Sequence, residues 1–136
     1  MYEAFADVIV TEGWNDDLLQ TVVPIFFSAS TSEDVSGPWK ERWRSEDVSA
    51  ARETLHAVTR REDITDRLGE IEQPALVIHG EDDGAIEMER AEQLAAGLPG
   101  VVELVKVPRA GHSSTIEQPE AVTAAIERFL EKVSPA

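Results

Sequence analysis

Two short stretches of this sequence carry ionisable groups placed to act on a substrate: His79-Gly80-Glu81-Asp82-Asp83 and Pro108-Arg109-Ala110-Gly111-His112. Each follows an apolar run, Ala75 to Ile78 in one case and Val101 to Val107 in the other, and such runs bounded by Gly or Pro read as β-strands. In a parallel sheet the C-terminal ends of neighbouring strands open onto one crevice. An acid and a histidine carried just past two such ends therefore come within hydrogen-bonding reach. A carboxylate bonded to one ring nitrogen fixes the imidazole tautomer. It also stabilises the imidazolium formed when the other nitrogen takes a proton from a nucleophile. The histidine of this pair is His112, and the acid is Asp83 or its neighbour Asp82.

The elements that must position them form a strand, helix, strand, helix series. Between the two strands, Met88, Ala91, Leu94, Ala95 and Leu98 make the apolar stripe of a helix that stops at Gly97 to Gly100. After the second strand, Pro119 suits the first position of a helix, and Val122, Ala125, Ile126, Phe129, Leu130 and Val133 give it one apolar face. This order is that of an α/β chain whose parallel strands are joined by a crossover helix. The first strand, almost wholly apolar, should be buried on both faces. The second contains Glu103 and Lys106 and should lie nearer a sheet edge. Two strands joined by one helix leave an apolar edge of Ala75 to His79 unpaired, so a protein partner or a second copy of the chain is expected to cover it.

Before Pro74 the sequence reads as short helices. Tyr2, Phe5, Ala6, Ile9 and Val10 recur at helical spacing, and Asn15 suits the cap of a second helix carrying Leu18, Leu19, Val22, Val23 and Ile25, which Pro24 should kink or shorten. The polar stretch Ser28 to Gly37 precedes Pro38, a natural first helical residue, and Trp39 and Trp43 then share one face. Val48, Ala51, Leu55 and Val58 mark another short helix, and Asp63 to Leu68 a capped turn leading into the first strand.

Composition limits the partners. The 136 residues make one domain or a piece of one, and 27 acids against 12 Lys and Arg give a charge of -15, which repels nucleic acid and anionic membranes. A small molecule or a protein is the expected partner. The absence of cysteine excludes disulfides, a thiolate nucleophile and Cys-ligated metal. Met1 to Asp7 has no basic leader character, and no apolar run approaches the ~20 residues of a membrane span, so the chain reads as cytoplasmic.

The succession Gly80-x-x-Asp83, helix, strand, Gly111-His112, then Glu117-Gln118-Pro119-Glu120 opening a terminal helix resembles the end of the α/β-hydrolase fold. In that family the chain order is nucleophile, acid, histidine. The resemblance implies that Asp83 is the triad acid and His112 the triad histidine. Arg60 to Leu68 is similar to the link from lid to core in esterase-like and enol-lactonase-like members. It implies a helical lid over residues 1–62 and the C-terminal β-α-β-α part of the core over 63–136. Members often carry Asp-x-x-Val-Pro at the acid, where this chain has Asp83-Gly84-Ala85-Ile86-Glu87.

The implied activity is hydrolysis of a small ester or enol-lactone by a Ser-Asp-His mechanism, with no cofactor and no metal. The nucleophile elbow Gly-x-Ser-x-Gly is missing: the only glycines in that frame are Gly80 and Gly84, with Asp82 between them on the acid strand. The chain is therefore expected to be the C-terminal fragment of a hydrolase, inactive alone. The alternative is a non-catalytic binding or assembly module that pairs through its exposed sheet edge.

The remaining polar and aromatic residues have plainer readings. His79 should be packed and hydrogen-bonded at the end of its strand, and His56 should lie on a helix surface. At least two of Trp14, Trp39 and Trp43 should be core. Ser113 and Ser114 read as turn residues, because a serine adjacent in sequence seldom meets its neighbour's imidazole productively. Glu81, Glu87, Glu89 and Glu92 lack the spacing of a calcium loop and read as a solvated face.

Overall fold

The computed structural model describes residues 2–134, with the side chains of all of these except residues 2–5 and 102. Four helices come first: α1 (Tyr2–Glu12), α2 (Asp16–Phe26), α3 (Glu33–Ser45) and α4 (Ala51–Thr59). A 3-10 turn (Thr65–Glu70) leads to β1 (Ala75–Gly80), α5 (Met88–Gly97), β2 (Val101–Val107), the short α6 (Ser114–Glu117) and α7 (Pro119–Val133).

In α1, Ala6 and Ile9 are buried while Val10 is 38% exposed; the side chains of Tyr2 and Phe5, expected on the same stripe, lie outside the described residues. Gly13, at φ 67, ends the helix by donating its amide to Ile9 O at 2.9 Å, a left-handed stop that suits glycine. Asn15 then caps α2, its Oδ1 accepting the Leu18 amide at 2.9 Å, and Leu18, Leu19 and Val22 turn inward. Pro24 stands in the last turn of α2, which runs on to Phe26. Pro24 and Gln20 are both exposed, so the carbonyl left without a donor faces the solvent side.

The start of α3 corrects the sequence reading. The helix begins at Glu33, a full turn before Pro38, and takes in the second half of the polar stretch. Ser32 is extended, its carbonyl accepts the amides of Val35 and Ser36 at 3.0 and 3.1 Å, and Glu33 and Asp34 supply negative charge to the first turn. The helix is thus nucleated before the proline is reached.

Aromatic rings gather these helices. Trp14 stacks on Trp43 with centroids 5.5 Å apart, and Phe26 and Phe27 lie 5.8 and 6.1 Å from the same Trp43 ring. This cluster packs on Ile9, Leu18 and Val22. Trp14 and Trp43 are half-buried against this core and not within it, so the expectation that at least two of the three tryptophans are core is met only in part. Trp39 is half-buried as well, with the Arg42 guanidinium 5.7 Å above its ring.

Strands β1 and β2 pair in parallel from Leu76 opposite Glu103 to Gly80 opposite Val107, with a shift in register between Ala75 and Leu76. The expectation that β1 is buried on both faces is not met. Val77 and Gly80 are buried, but Leu76 and Ile78 are half-buried, because among the described residues β1 has a strand on one side only. Val107, Ala110 and Val122 form the core beneath the strand ends, packed against Ile78 and Val105. Helix α7 begins at Pro119 as expected and buries Val122 and Ala125, while Ile126 and Leu130 are 41% and 51% exposed. The one-turn α6 before it was not anticipated. Among the described residues no helix is long and apolar enough to cross a membrane.

Candidate active site

The loops after the two strands are laid side by side by backbone bonds that continue the sheet. The amide of Glu81 donates to Val107 O, and that of Asp82 to Ala110 O, each at 2.9 Å. Gly80 is buried directly against Ala110 and Gly111, an approach that only a residue without Cβ permits. The acid loop and the histidine loop are thereby fixed relative to each other before any side chain meets.

The adjacent aspartates then separate. Asp82 Oδ2 accepts the Ser28 hydroxyl at 2.6 Å, which ties it to the segment that follows α2. Asp83 turns to the histidine: its Oδ2 lies 2.9 Å from His112 Nδ1, while its Oδ1 accepts the amides of Ala85 and Ile86 at 2.8 and 2.9 Å. Those two amides orient the acid in the sequence Asp83 to Glu87, without the proline common at this turn in α/β-hydrolases. The Asp83 side chain is 5% exposed. Burial alone would raise its pKa, but the Ile86 amide, His112 and the Ala85 amide outweigh it and hold the carboxyl below the usual aspartate value.

His112 follows a turn in which Arg109 is left-handed, with φ 56. Gly111 is pressed against the backbone of Phe27 and Ser28, the Ser113 amide donates to Phe26 O at 2.9 Å, and the Phe26 ring meets the imidazole edge-on at 5.6 Å. A carboxylate only accepts, so Nδ1 carries the proton it shares with Asp83. Nε2 is then the nitrogen with a lone pair. The His112 side chain is 41% exposed. The pair can therefore hold one tautomer and take a proton at Nε2.

His79 is packed as expected through one nitrogen, with Nδ1 2.9 Å from Gly80 O. Its Nε2 has no hydrogen-bond partner among the described residues and stands 3.5 Å from Asp83 Oδ2, within ion-pair range but long for a hydrogen bond. His56, expected on a helix surface, is half-buried on α4. Ser113 precedes α6 and Ser114 opens it, and no hydrogen bond joins either hydroxyl to His112. Glu81, Glu87 and Glu89 are exposed, and Glu92 pairs with Lys106 at 2.5 Å. Among the described residues no three or more His, Asp or Glu side chains converge as a metal site. A groove of about 430 Å³ between α2 and α3, lined by residues such as Leu19, Val23, Lys40 and Arg44, includes neither Asp83 nor His112.

The sequence singled out Asp83 and His112, which the structure pairs, but offered no place for Ser28, Phe26 or Glu117 beside them. The first two lie far from the motifs in sequence. Glu117 was legible only as part of Glu-x-Pro-Glu, without a partner.

The sequence family described as TAP-like protein, an α/β-hydrolase family, matches residues 39–135. In structure the chain is similar to a thermophilic esterase from Thermogutta terrifontis, solved with malate bound, with a TM-score of 0.88 and 27% identity over 98% of this chain and 50% of that one. It is also similar to MenH from S. aureus (TM-score 0.84, 20% identity, 96% of this chain and 50% of that one). A third likeness is to an esterase from Exiguobacterium antarcticum (TM-score 0.79, 20% identity, 96% of this chain and 47% of that one). The last two establish likeness of fold alone. The chain spans about half the length of each.

Proposed function

This chain belongs to the TAP-like protein family of α/β-hydrolases, and from that membership we propose that it forms the C-terminal half of a carboxylic ester hydrolase working through an acyl-serine. The observation that carries this reading is the bond of 2.9 Å between Asp83 Oδ2 and His112 Nδ1 at adjacent strand ends. His112 Nε2 takes the proton of a serine hydroxyl as the serine oxygen attacks the ester carbonyl. It then passes that proton to the departing alkoxide. Water enters by the same route, giving a proton to Nε2 as its oxygen attacks the acyl group, and Nε2 returns that proton to the departing serine oxygen. Asp83, held anionic, orients the ring and offsets the positive charge that forms on it at each step.

The substrate proposed is a small ester or enol-lactone, and the setting cytoplasmic. Residues 1–62 serve as the lid and 63–136 as the core. The nucleophile comes from outside these residues, since no serine among them stands in Gly-x-Ser-x-Gly. The segment that brings it also supplies the strand beside β1 and cover for the exposed Ile126 and Leu130.

The second reading, a binding or assembly module that pairs through the free edge of β1, rests on that edge alone. A complementation assay separates the two. The chain is mixed with an N-terminal hydrolase segment bearing Gly-x-Ser-x-Gly, and ester hydrolysis is followed. Hydrolysis that His112→Ala abolishes supports the enzyme, whereas association without hydrolysis supports the module. A serine-directed phosphonate should leave the chain by itself unlabelled, and labelling would overturn the claim that its nucleophile comes from elsewhere.

A further inference from the structure

Glu117 touches neither Asp83 nor His112, yet its carboxylate gathers the backbone on which His112 depends. Oε2 accepts the amide of Gly111, the residue before His112, at 2.7 Å. Oε1 accepts the Ser28 amide at 2.7 Å and the Thr31 hydroxyl at 2.5 Å. Those two donors belong to the segment that follows α2, and Phe26, the last residue of α2 and two positions before Ser28, supplies the carbonyl that takes the amide of Ser113 on the other side of His112. The histidine is thus pinned in the chain through Gly111 before it and Ser113 after it. One carboxylate joins the two pins. Phe26, whose ring meets the imidazole edge-on at 5.6 Å, ends the helix that leads into this segment.

The need is for an acid. Three donors converge on two oxygens, which an ionised carboxylate can satisfy and a carboxamide cannot, because its NH2 would meet either the Gly111 amide or the Ser28 and Thr31 donors. Charge-assisted bonds of this length are also stronger than neutral ones. We propose that Glu117 is a positioning residue that couples the segment following α2 to the His112 turn, so that the Asp83–His112 bond forms only while this clamp is closed. The proposal deepens the hydrolase reading and rests on it for its catalytic meaning. The coupling itself is a property of the 136-residue chain.

Proton NMR of the chain tests it without requiring turnover. In the native protein the His112 Nδ1 proton, bonded to Asp83, should resonate far downfield and vanish in Asp83→Asn, and the Gly111 and Ser28 amides should also lie downfield. In Glu117→Gln both amides should move upfield, and the Nδ1 proton should exchange with solvent roughly tenfold faster or more, the effect of losing a charge-assisted hydrogen bond. Leu68→Ala, which removes buried methyls packed against Gly97, is the control. It should lower the melting temperature at least as much as Glu117→Gln while leaving the three resonances in place. If Glu117→Gln does not fold, Thr31→Val removes one of the three donors, and a faster Nδ1 exchange is again the expected result.

Unchanged Nδ1 exchange in the folded Glu117 variant, or in Thr31→Val if that variant stands in for it, overturns the proposal. So does an equal change in Leu68→Ala. Absence of the downfield Nδ1 proton from the native chain would instead overturn the Asp83–His112 assignment, so the two readings fail separately.

Discussion

Gly80 and Ala110 are in backbone contact: a Cβ built on Gly80 would lie 2.2 Å from the carbonyl oxygen of Ala110. The same Cβ would lie 2.2 Å from the carbonyl oxygen of Gly111, so neither loop can give way without moving the other. The close approach is what brings the acid turn up to the histidine turn. Glycine is needed here for space, since Gly80 closes β1 in ordinary extended backbone.

Gly80→Ala should therefore destabilise the chain by about 3 kcal/mol, the upper end of what overpacking costs, because the atoms in the way are backbone. Gly69→Ala is the matched control: nothing lies within 4 Å of its Cβ, and its effect should stay within about 0.5 kcal/mol. Urea unfolding midpoints compare the two. Equal midpoints would mean that the strand ends are not in contact.

The depressed pKa of Asp83 fixes the sign of an acid effect. A carboxyl whose folded pKa lies below its unfolded value stabilises the fold fully above the ordinary aspartate value of ~3.9. That contribution is lost as pH falls through the folded pKa. Native stability should thus decline below about pH 4, and Asp83→Asn should flatten this part of the profile. Carbon NMR of the carboxyl measures the midpoint directly, and a midpoint above the ordinary value would contradict the hydrogen bonds assigned to it. In a complemented enzyme the same variant should lower kcat on the order of 10⁴-fold, the effect of losing the correct imidazole tautomer.

Arg109 holds its left-handed φ of 56 without the freedom of glycine. Arg109→Gly should be tolerated, because relief of the backbone cost offsets the added freedom of the unfolded chain. Arg109→Val places a β-branched residue in that conformation and should cost about 1–2 kcal/mol, read as a lower melting temperature. A valine variant as stable as the native chain would show that the turn before His112 is not left-handed.

Asn15→Ala tests whether α2 is capped as the geometry indicates. The Leu18 amide would lose its acceptor at 2.9 Å, and the loss should be about 1 kcal/mol. Asn15→Asp should retain the native stability. Chemical denaturation followed by Trp14 and Trp43 fluorescence reports on this part of the chain, since the two rings stack 5.5 Å apart.

Much of the fold was legible because it depends on local chemistry. The apolar run Ala75 to Ile78 stopped by Gly80, the stripe from Met88 to Leu98 and the proline at 119 each define an element by their own residues. The start of α3 was misread for the same reason: Pro38 is a good first helical residue, but Ser32, Glu33 and Asp34 had already begun the helix. The burial of β1 was misread because an apolar sequence records what a strand expects to meet, and among the described residues β2 alone is beside it.

At the candidate site, the residue types and their order along the chain singled out Asp83 and His112, which the structure brings to 2.9 Å, and pointed to the family. Sequence could not turn Asp83 toward the histidine and Asp82 toward Ser28, because that choice rests on a bond to a residue 54 positions away. It could not find the role of Glu117 either, whose partner amide at Ser28 is 89 positions distant. Spacing along a chain encodes periodic contacts within a helix or strand, whereas bonds between loops brought together by packing have no period. Only the tertiary structure decided those.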